Sequence, residues 1–447
     1  MKKRQIKNLK SFAFATTASA IIAGLLISTS PILNAAEPSN PPNSQQGNQY
    51  TLEQAMSDNA QLSTIAFSGL AFITGSAGAD TFMPPGKVAD FFGFQYMRDI
   101  DTAGYGHNTD FLSRVANNVI YILNSSQRAK LLALAKTQTP LYDKIAYNRF
   151  PLMQAFRRNM TGAIPANSKG LSASAVEKYT SNLYKIDADL SYNRAVTVGA
   201  IVQSLTDTQK AYLAKMEFGN YNSWPNVPEN QDVKKGITNS QYVALMTFAS
   251  EMFSWYKGSL TADVYFCPER HGTYFGGFYM KDYPAMNNPS YFISTATTGD
   301  KGQEFLNILN PSQRTIITSI IPAQSASMKE IADLRTKVST ELRKALVGQT
   351  VNKTLVYSLI QRYGALDGKL SALYAISFAS VNKTLTADQR ATLVKLRDLS
   401  VVPTGSYKWS SPIPTPTLPK SEYLFGVGTF PSTAANTTPT VAFSKAG

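Results

Sequence analysis

The sequence predicts an all-α chain. It reads as two tandem pseudo-symmetric helical-bundle repeats, with aromatic, glycine- and proline-rich loop segments and an irregular C-terminal tail. Three observations predict this: an internal duplication, a recurring helix-start signature, and apolar stripes at helical spacing. Residues 75–99 align without a gap onto residues 258–282 at an offset of 183, with 10 of 25 positions identical. Downstream, LNSSQR at 123–128 pairs with LNPSQR at 309–314, and LTDTQK at 205–210 pairs with LTADQR at 385–390. Between them, Arg149, Arg157 and Arg158 pair with Arg335, Arg343 and Lys344 at an offset of 186, and Asp187, Leu190 and Ala195 pair with Asp367, Leu370 and Ala375 at an offset of 180.

Taken in chain order, residues 1–36 carry Lys2, Lys3, Arg4, Lys7 and Lys10, then an uncharged stretch most apolar at 20–27, then Ala35 and Ala36. A basic start, an apolar middle and a small-residue end predict a secretory signal peptide cleaved near Ala36, and hence an exported (periplasmic or secreted) protein. An uncleaved membrane anchor is the competing reading. The interrupted apolar run is shorter than the ~20 residues a spanning helix requires, so the mature chain is expected not to span a membrane. Residues 37–50 form a polar linker rich in Asn, Gln, Ser and Pro. The formal charge of +14 falls to 14 − 5 = +9 without the leader, and the remaining Lys and Arg form no block. Nucleic acid is therefore not an expected partner.

The first repeat spans 51–217 and the second 238–400, joined by a connector at 218–237 rich in Asn, Gly and Pro. Asn124, Thr206, Asn310 and Thr386 are each followed three residues later by a Gln, as are Thr51 and Thr238. Each pair predicts a capping box, in which the polar N-cap accepts from a free backbone N–H and the Gln reaches back. Leu123, Leu205, Leu309 and Leu385 precede four of these caps and are expected to pack into the bundles. Val176, Tyr179, Leu183, Ile186 and Leu190 step by three and four, as do Tyr363, Leu366, Leu370 and Leu373, and Ile331, Leu334, Val338 and Leu342. Such stripes bury one face of a helix. Pro140 and Pro151 are expected to kink or divide one long helix, and Pro322 its counterpart. From 401 to 447 Pro, Ser and Thr dominate, although Trp409, Tyr423, Leu424 and Phe425 suggest that part of this tail docks.

The duplicated aromatic segments carry the candidate ligand-binding residues: Lys87, Phe92, Tyr96, Arg98 and Asp99 in one, Arg270, Phe275, Tyr279, Lys281 and Asp282 in the other. Aromatic walls with cations and a carboxylate suit a cleft at the junction of the repeats. The same residues also suit an aromatic plug closing each bundle. Cys267, His271 and Met280 lie close in sequence, but the matching positions of the first copy hold Pro84 and Val88. With one cysteine and two histidines in the chain, neither metal nor cofactor is expected. His107 sits in a glycine-rich loop sequence, and Gly-x-Ser-x-Gly, Walker A and dinucleotide fingerprints are absent. No catalytic residue is assigned.

Leu205-Thr-Asp-Thr-Gln209 and Leu385-Thr-Ala-Asp-Gln389 match the LTxxQ motif of the Spy-like periplasmic helical chaperones, and residues 123–127 and 309–313 match it with Asn for Thr. The Arg-rich stretches around Arg149–Arg158 and Arg335–Lys344 are similar too. The resemblance covers short stretches at four helix starts. It implies an envelope protein that cradles unfolded or surface-exposed protein clients without ATP. Beside this non-catalytic binding or chaperone-like reading stand two others. One is a secreted enzyme or cofactor-binding protein with its site, for a small ligand, in the aromatic segments. The other is a surface or matrix protein that self-assembles into oligomers.

Overall fold

A computed structural model describes residues 58–75, 110–216, 224–257, 301–396, 406–408, 411–413, 416–418 and 420–431. The signal peptide, the polar linker, the Thr51/Gln54 signature and Trp409 lie outside them. The architecture is all-α. Its helices are α1 (Asp58–Ile73), α2 (Asp110–Ile122), α3 (Ser125–Thr161), α4 (Ala173–Gln203), α5 (Asp207–Ala214) and α6 (Asn239–Tyr256) in the first part of the chain. They are followed by α7 (Lys301–Ile308), α8 (Pro311–Thr318), α9 (Ile320–Arg343), α10 (Lys353–Thr384) and α11 (Ala387–Leu396).

Local sequence explains where these helices begin. Asn124, Thr206, Thr238 and Asn310 each form a reciprocal capping box with the Gln three residues on. At Thr386 the same two bonds form, Gln389 N–H to Thr386 Oγ1 at 3.1 Å and Thr386 N–H to Gln389 Oε1 at 3.0 Å. The stripes are buried as expected, and so are Leu123, Leu205, Leu309 and Leu385; only Leu373 stays partly exposed. Helix α3 is not divided at its prolines. It runs unbroken for 37 residues through both Pro140 and Pro151. Each proline removes one N–H and crowds the preceding turn. Apolar anchorage on both sides holds the helix through them, with Tyr142 and Ile145 buried after the first proline and Leu152, Ala155 and Phe156 after the second. Near Pro322 the chain does break, at Ser319 between α8 and α9.

At 1.5 Å per residue α3 is about 55 Å long, enough to enter two separate cores, and α4 and α10 do the same. The first core gathers α2, the N-terminal part of α3, α4 from Leu183 onward, α5, α6, α9 and the N-terminal half of α10. The second gathers α1, the C-terminal part of α3, the start of α4, α7, α8, the C-terminal half of α10 and α11. The most extensive helix contact is between α4 and α10. Their contacts run antiparallel: Thr180 faces Gly368, Tyr184 faces Gly364, and the Tyr357 hydroxyl bonds the Asp189 carboxylate.

The opening helix of each half lies with the other half's helices. Helix α1 packs on α7 and α10, and α6 packs on α2 and α3. Gly69 of α1 shows how closely, since a Cβ there would meet Phe378 of α10 at 2.9 Å. The connector docks beside α6, where buried Trp224 makes an edge contact with Phe253 at 5.6 Å, and Asn118 donates to the Pro225 carbonyl at 2.9 Å.

The tail adds a small antiparallel hairpin, β1 (Ser406–Lys408) with β2 (Ser411–Ile413), that the helical reading of the sequence does not foresee. A single 3-10 turn (Glu422–Phe425) follows and buries Leu424 and Phe425 in the second core. Among the described residues no helix is long and apolar enough to cross a membrane.

Candidate functional site

All ten candidate binding residues lie outside the described residues: Lys87, Phe92, Tyr96, Arg98 and Asp99 within 76–109, and Arg270, Phe275, Tyr279, Lys281 and Asp282 within 258–300. Their described flanks can be placed. The first segment leaves α1 in the second core and rejoins the fold at α2 in the first. The second leaves α6 in the first core and rejoins at α7 in the second. Both segments therefore join the same two cores, in opposite directions.

An arginine meets the helix end where each segment departs. Arg157 of α3 lies 4.4 Å over the Phe72 ring and donates to the Phe72 carbonyl at 2.6 Å. That carbonyl belongs to the last turn of α1 and also accepts from the Gly75 N–H at 3.2 Å; a cation there complements the helix dipole. Arg343 of α9 lies 6.0 Å over the Trp255 ring near the end of α6. Phe72 and Trp255 match at the offset of 183, and Arg157 and Arg343 at 186.

The LTxxQ-like motifs meet in pairs. In a capping box the Gln oxygen turns back to the N-cap N–H, which leaves its amide NH2 facing outward with two hydrogens to place. Gln127 Nε2 donates to the Ser204 carbonyl at 3.0 Å and shares a contact with Gln209 Oε1 at 3.3 Å. Gln209 Nε2 donates to the Ile122 carbonyl and to Gln127 Oε1, both at 2.7 Å. Four helix ends thus converge on two buried amides: the C-terminal ends of α2 and α4, and the starts of α3 and α5. The second pair repeats the pattern. Gln313 Nε2 donates to the Thr384 carbonyl at 3.0 Å, and Gln389 Nε2 to the Ile308 carbonyl and to Gln313 Oε1, both at 2.9 Å. The Arg after each first Gln caps the preceding helix end, Arg128 on the Leu123 carbonyl and Arg314 on the Leu309 carbonyl at 3.3 Å.

Sequence reasoning finds the caps and misses the clasp. The signal was present, because two motifs per half each leave a Gln amide with unspent donors.

A second polar group lies in the first core. Arg194, fully buried, pairs with Glu251 of α6 at 3.2 Å and donates to Gln138 Oε1 at 3.2 and 3.3 Å. Its guanidinium also lies 4.5 Å over the Phe248 ring. In the second core neutral Tyr374 stands at the position matching Arg194 and Gln324 at that matching Gln138, while their partner Gln61 comes from a position that does not match Glu251. Tyr374 donates to Gln324 Oε1 at 2.5 Å, and Gln324 Nε2 donates to Gln61 Oε1 of α1 at 2.8 Å.

Where α4 meets α10 in the first core, the Tyr184 hydroxyl donates to the buried carboxylate of Asp367. Burial first, and that carboxylate second, push the Tyr184 phenol well above its ordinary range. It therefore acts as a fixed hydrogen-bond donor. Asp187 and Asp367 are both buried in this helix pair, and Arg149 is buried on α3. Among the described residues no cluster of three His, Cys, Asp or Glu side chains forms a metal cage. Comparison of the chain with protein-family models, curated proteins and solved structures gave no match.

Proposed function

We propose that the chain is an exported, non-catalytic helical binding protein of the bacterial cell envelope, acting on unfolded or surface-exposed protein clients in a chaperone-like manner. The observation that carries this reading is the pair of Gln clasps. The Gln residues of the LTxxQ-like motifs bond one another in pairs and organise four helix ends in each core, which gives the motif a structural role in this chain and supports the reading. The duplicated aromatic segments supply the binding surface in this reading, since each begins at one core and ends at the other.

The reading includes an internal pseudo-symmetry. The two clasps, the Gln138/Gln324 acceptors, the Arg157 and Arg343 contacts and the exchanged first helices all match between halves at the offsets of the sequence repeat. Signal-peptide cleavage near Ala36 places the protein outside the cytoplasm.

The test is suppression of aggregation by the purified mature chain, using a chemically denatured client diluted into buffer. Light scattering should fall at sub-stoichiometric protein, and Tyr96→Ala and Tyr279→Ala should each weaken the effect while helical circular dichroism is kept. Unchanged scattering at a fivefold molar excess would sink the proposal.

A further inference from the structure

The helices α4 and α10 start at matching places in the sequence repeat, Ser172 and Asn352, yet their first N–H groups are served differently. The Asn352 N–H donates to Glu341 Oε1 at 2.7 Å, and Lys344 Nζ pairs with Glu341 Oε2 at 2.7 Å. At the offset of 186, Lys344 corresponds to Arg158 and Glu341 to Ala155. The first half therefore lacks the carboxylate that closes this corner in the second.

The tail takes its place. The Ser172 N–H donates to the Leu424 carbonyl at 2.9 Å, and Arg158 pairs with Glu422 at 3.3 Å. Arg158 also donates to Ser421 Oγ at 3.1 Å, and Ser168 Oγ donates to the Phe425 carbonyl at 3.1 Å. Leu424 and Phe425 enter the second core, Arg158 covers the Phe425 ring at 5.0 Å, and Tyr423 stacks on Tyr179 at 5.8 Å.

This is how a peptide ligand is held. Main-chain bonds fix its register, apolar side chains fill a socket, and a cation grips its acid. The segment follows the β1/β2 hairpin after residues 414–420, a tether that spans at most about 25 Å.

We propose that the corner between α3 and α4 is a peptide-recognition groove for a segment of the pattern acidic–aromatic–Leu–Phe, and that residues 421–425 are its resident, displaceable occupant. The inference is independent of the chaperone reading. The tether keeps the resident segment at high effective concentration, so an added peptide binds only when the resident is weakened.

The experiment uses a dye-labelled synthetic peptide of residues 418–431 and fluorescence anisotropy. The full-length Leu424→Ser/Phe425→Ser variant, its fold checked by circular dichroism, should bind the peptide at least tenfold more tightly than the wild-type chain. A peptide carrying the same two changes should not bind. A folded variant that binds no better than wild type overturns the proposal. If that variant does not fold, Glu422→Lys, which opposes Arg158 at a partly exposed pair, is measured in its place. Tenfold tighter binding of the peptide than by wild type supports a displaceable occupant, and binding no tighter than wild type overturns it.

Discussion

Gly364 and Gly368 decide how closely α4 and α10 approach. A Cβ at Gly364 would meet Tyr184 Cγ at 2.5 Å, and one at Gly368 would meet Thr180 Oγ1 at 1.9 Å and the Glu177 Cα at 3.1 Å. Replacing a helical Gly by Ala ordinarily gains about 1 kcal/mol of propensity. Overpacking a tight contact costs about 1–3 kcal/mol, and at these distances the cost wins. Gly364→Ala and Gly368→Ala should each lower the urea midpoint of unfolding. The buried ion pair behaves differently. Glu251→Gln leaves Arg194 charged in a dry core and should cost about 3–5 kcal/mol, whereas Arg194→Met with Glu251→Met should come closer to neutral. Thermal melts of the single and double variants read this directly. If the double variant proved less stable than both singles, the pair would be a true stabiliser. Glu251 was legible in the sequence as one acid within an otherwise uncharged helix from Asn239 to Tyr256. Its partner was not, because Arg194 lies 57 residues away and no local spacing joins them.

At the scale of elements, the helix starts and buried faces were legible because both are short-range. A capping box needs four residues, and a stripe needs neighbours three and four apart. The clasp needs two such motifs 82 residues apart in one half and 76 in the other, so the sequence shows its parts and not their union. Gln127→Ala should strip a partner from Gln209 and from the Ser204 carbonyl at once, costing about 1–3 kcal/mol. Because the two amides bond each other, Gln127→Ala and Gln209→Ala should be non-additive, with a coupling of about 0.5–3 kcal/mol in a double-mutant cycle. Additive losses would mean that the two Gln side chains act only as separate caps. The two prolines of α3 teach the converse. A local rule predicted a kink or a division there, and packing on both sides of each proline prevents the division.

At the scale of the molecule, the exchange of α1 and α6 was hidden for a physical reason. The duplicated stripes offer each opening helix two similar faces, so periodicity expresses no preference between docking at home and docking across. Among the described residues, unlike polar groups help to distinguish the cores, with Arg194 meeting Glu251 in one and Gln324 meeting Gln61 in the other. The ten candidate binding residues were legible as a duplicated aromatic pattern, and what is placed of them is where their segments begin and end. Because each core draws on both halves, neither residues 51–217 nor residues 238–400 should fold cooperatively alone. Circular dichroism of the separate pieces should show broad, weak transitions, and mixing them should restore a sharp one. Two sharp, independent transitions would contradict the exchanged arrangement.

The exchange also sets a clock on assembly. Helix α1 ends at Ile73, but its partner α7 does not begin until Lys301, and the tail residues that complete that core come last. At synthesis rates of roughly 5–20 residues per second, that interval is on the order of ten to fifty seconds. During it Ile65, Leu70 and Phe72 have no surface to bury against α7 or α10. The nascent chain is thus obliged to travel with an apolar helix unhoused, and the second core can close only after nearly the whole polypeptide has been made.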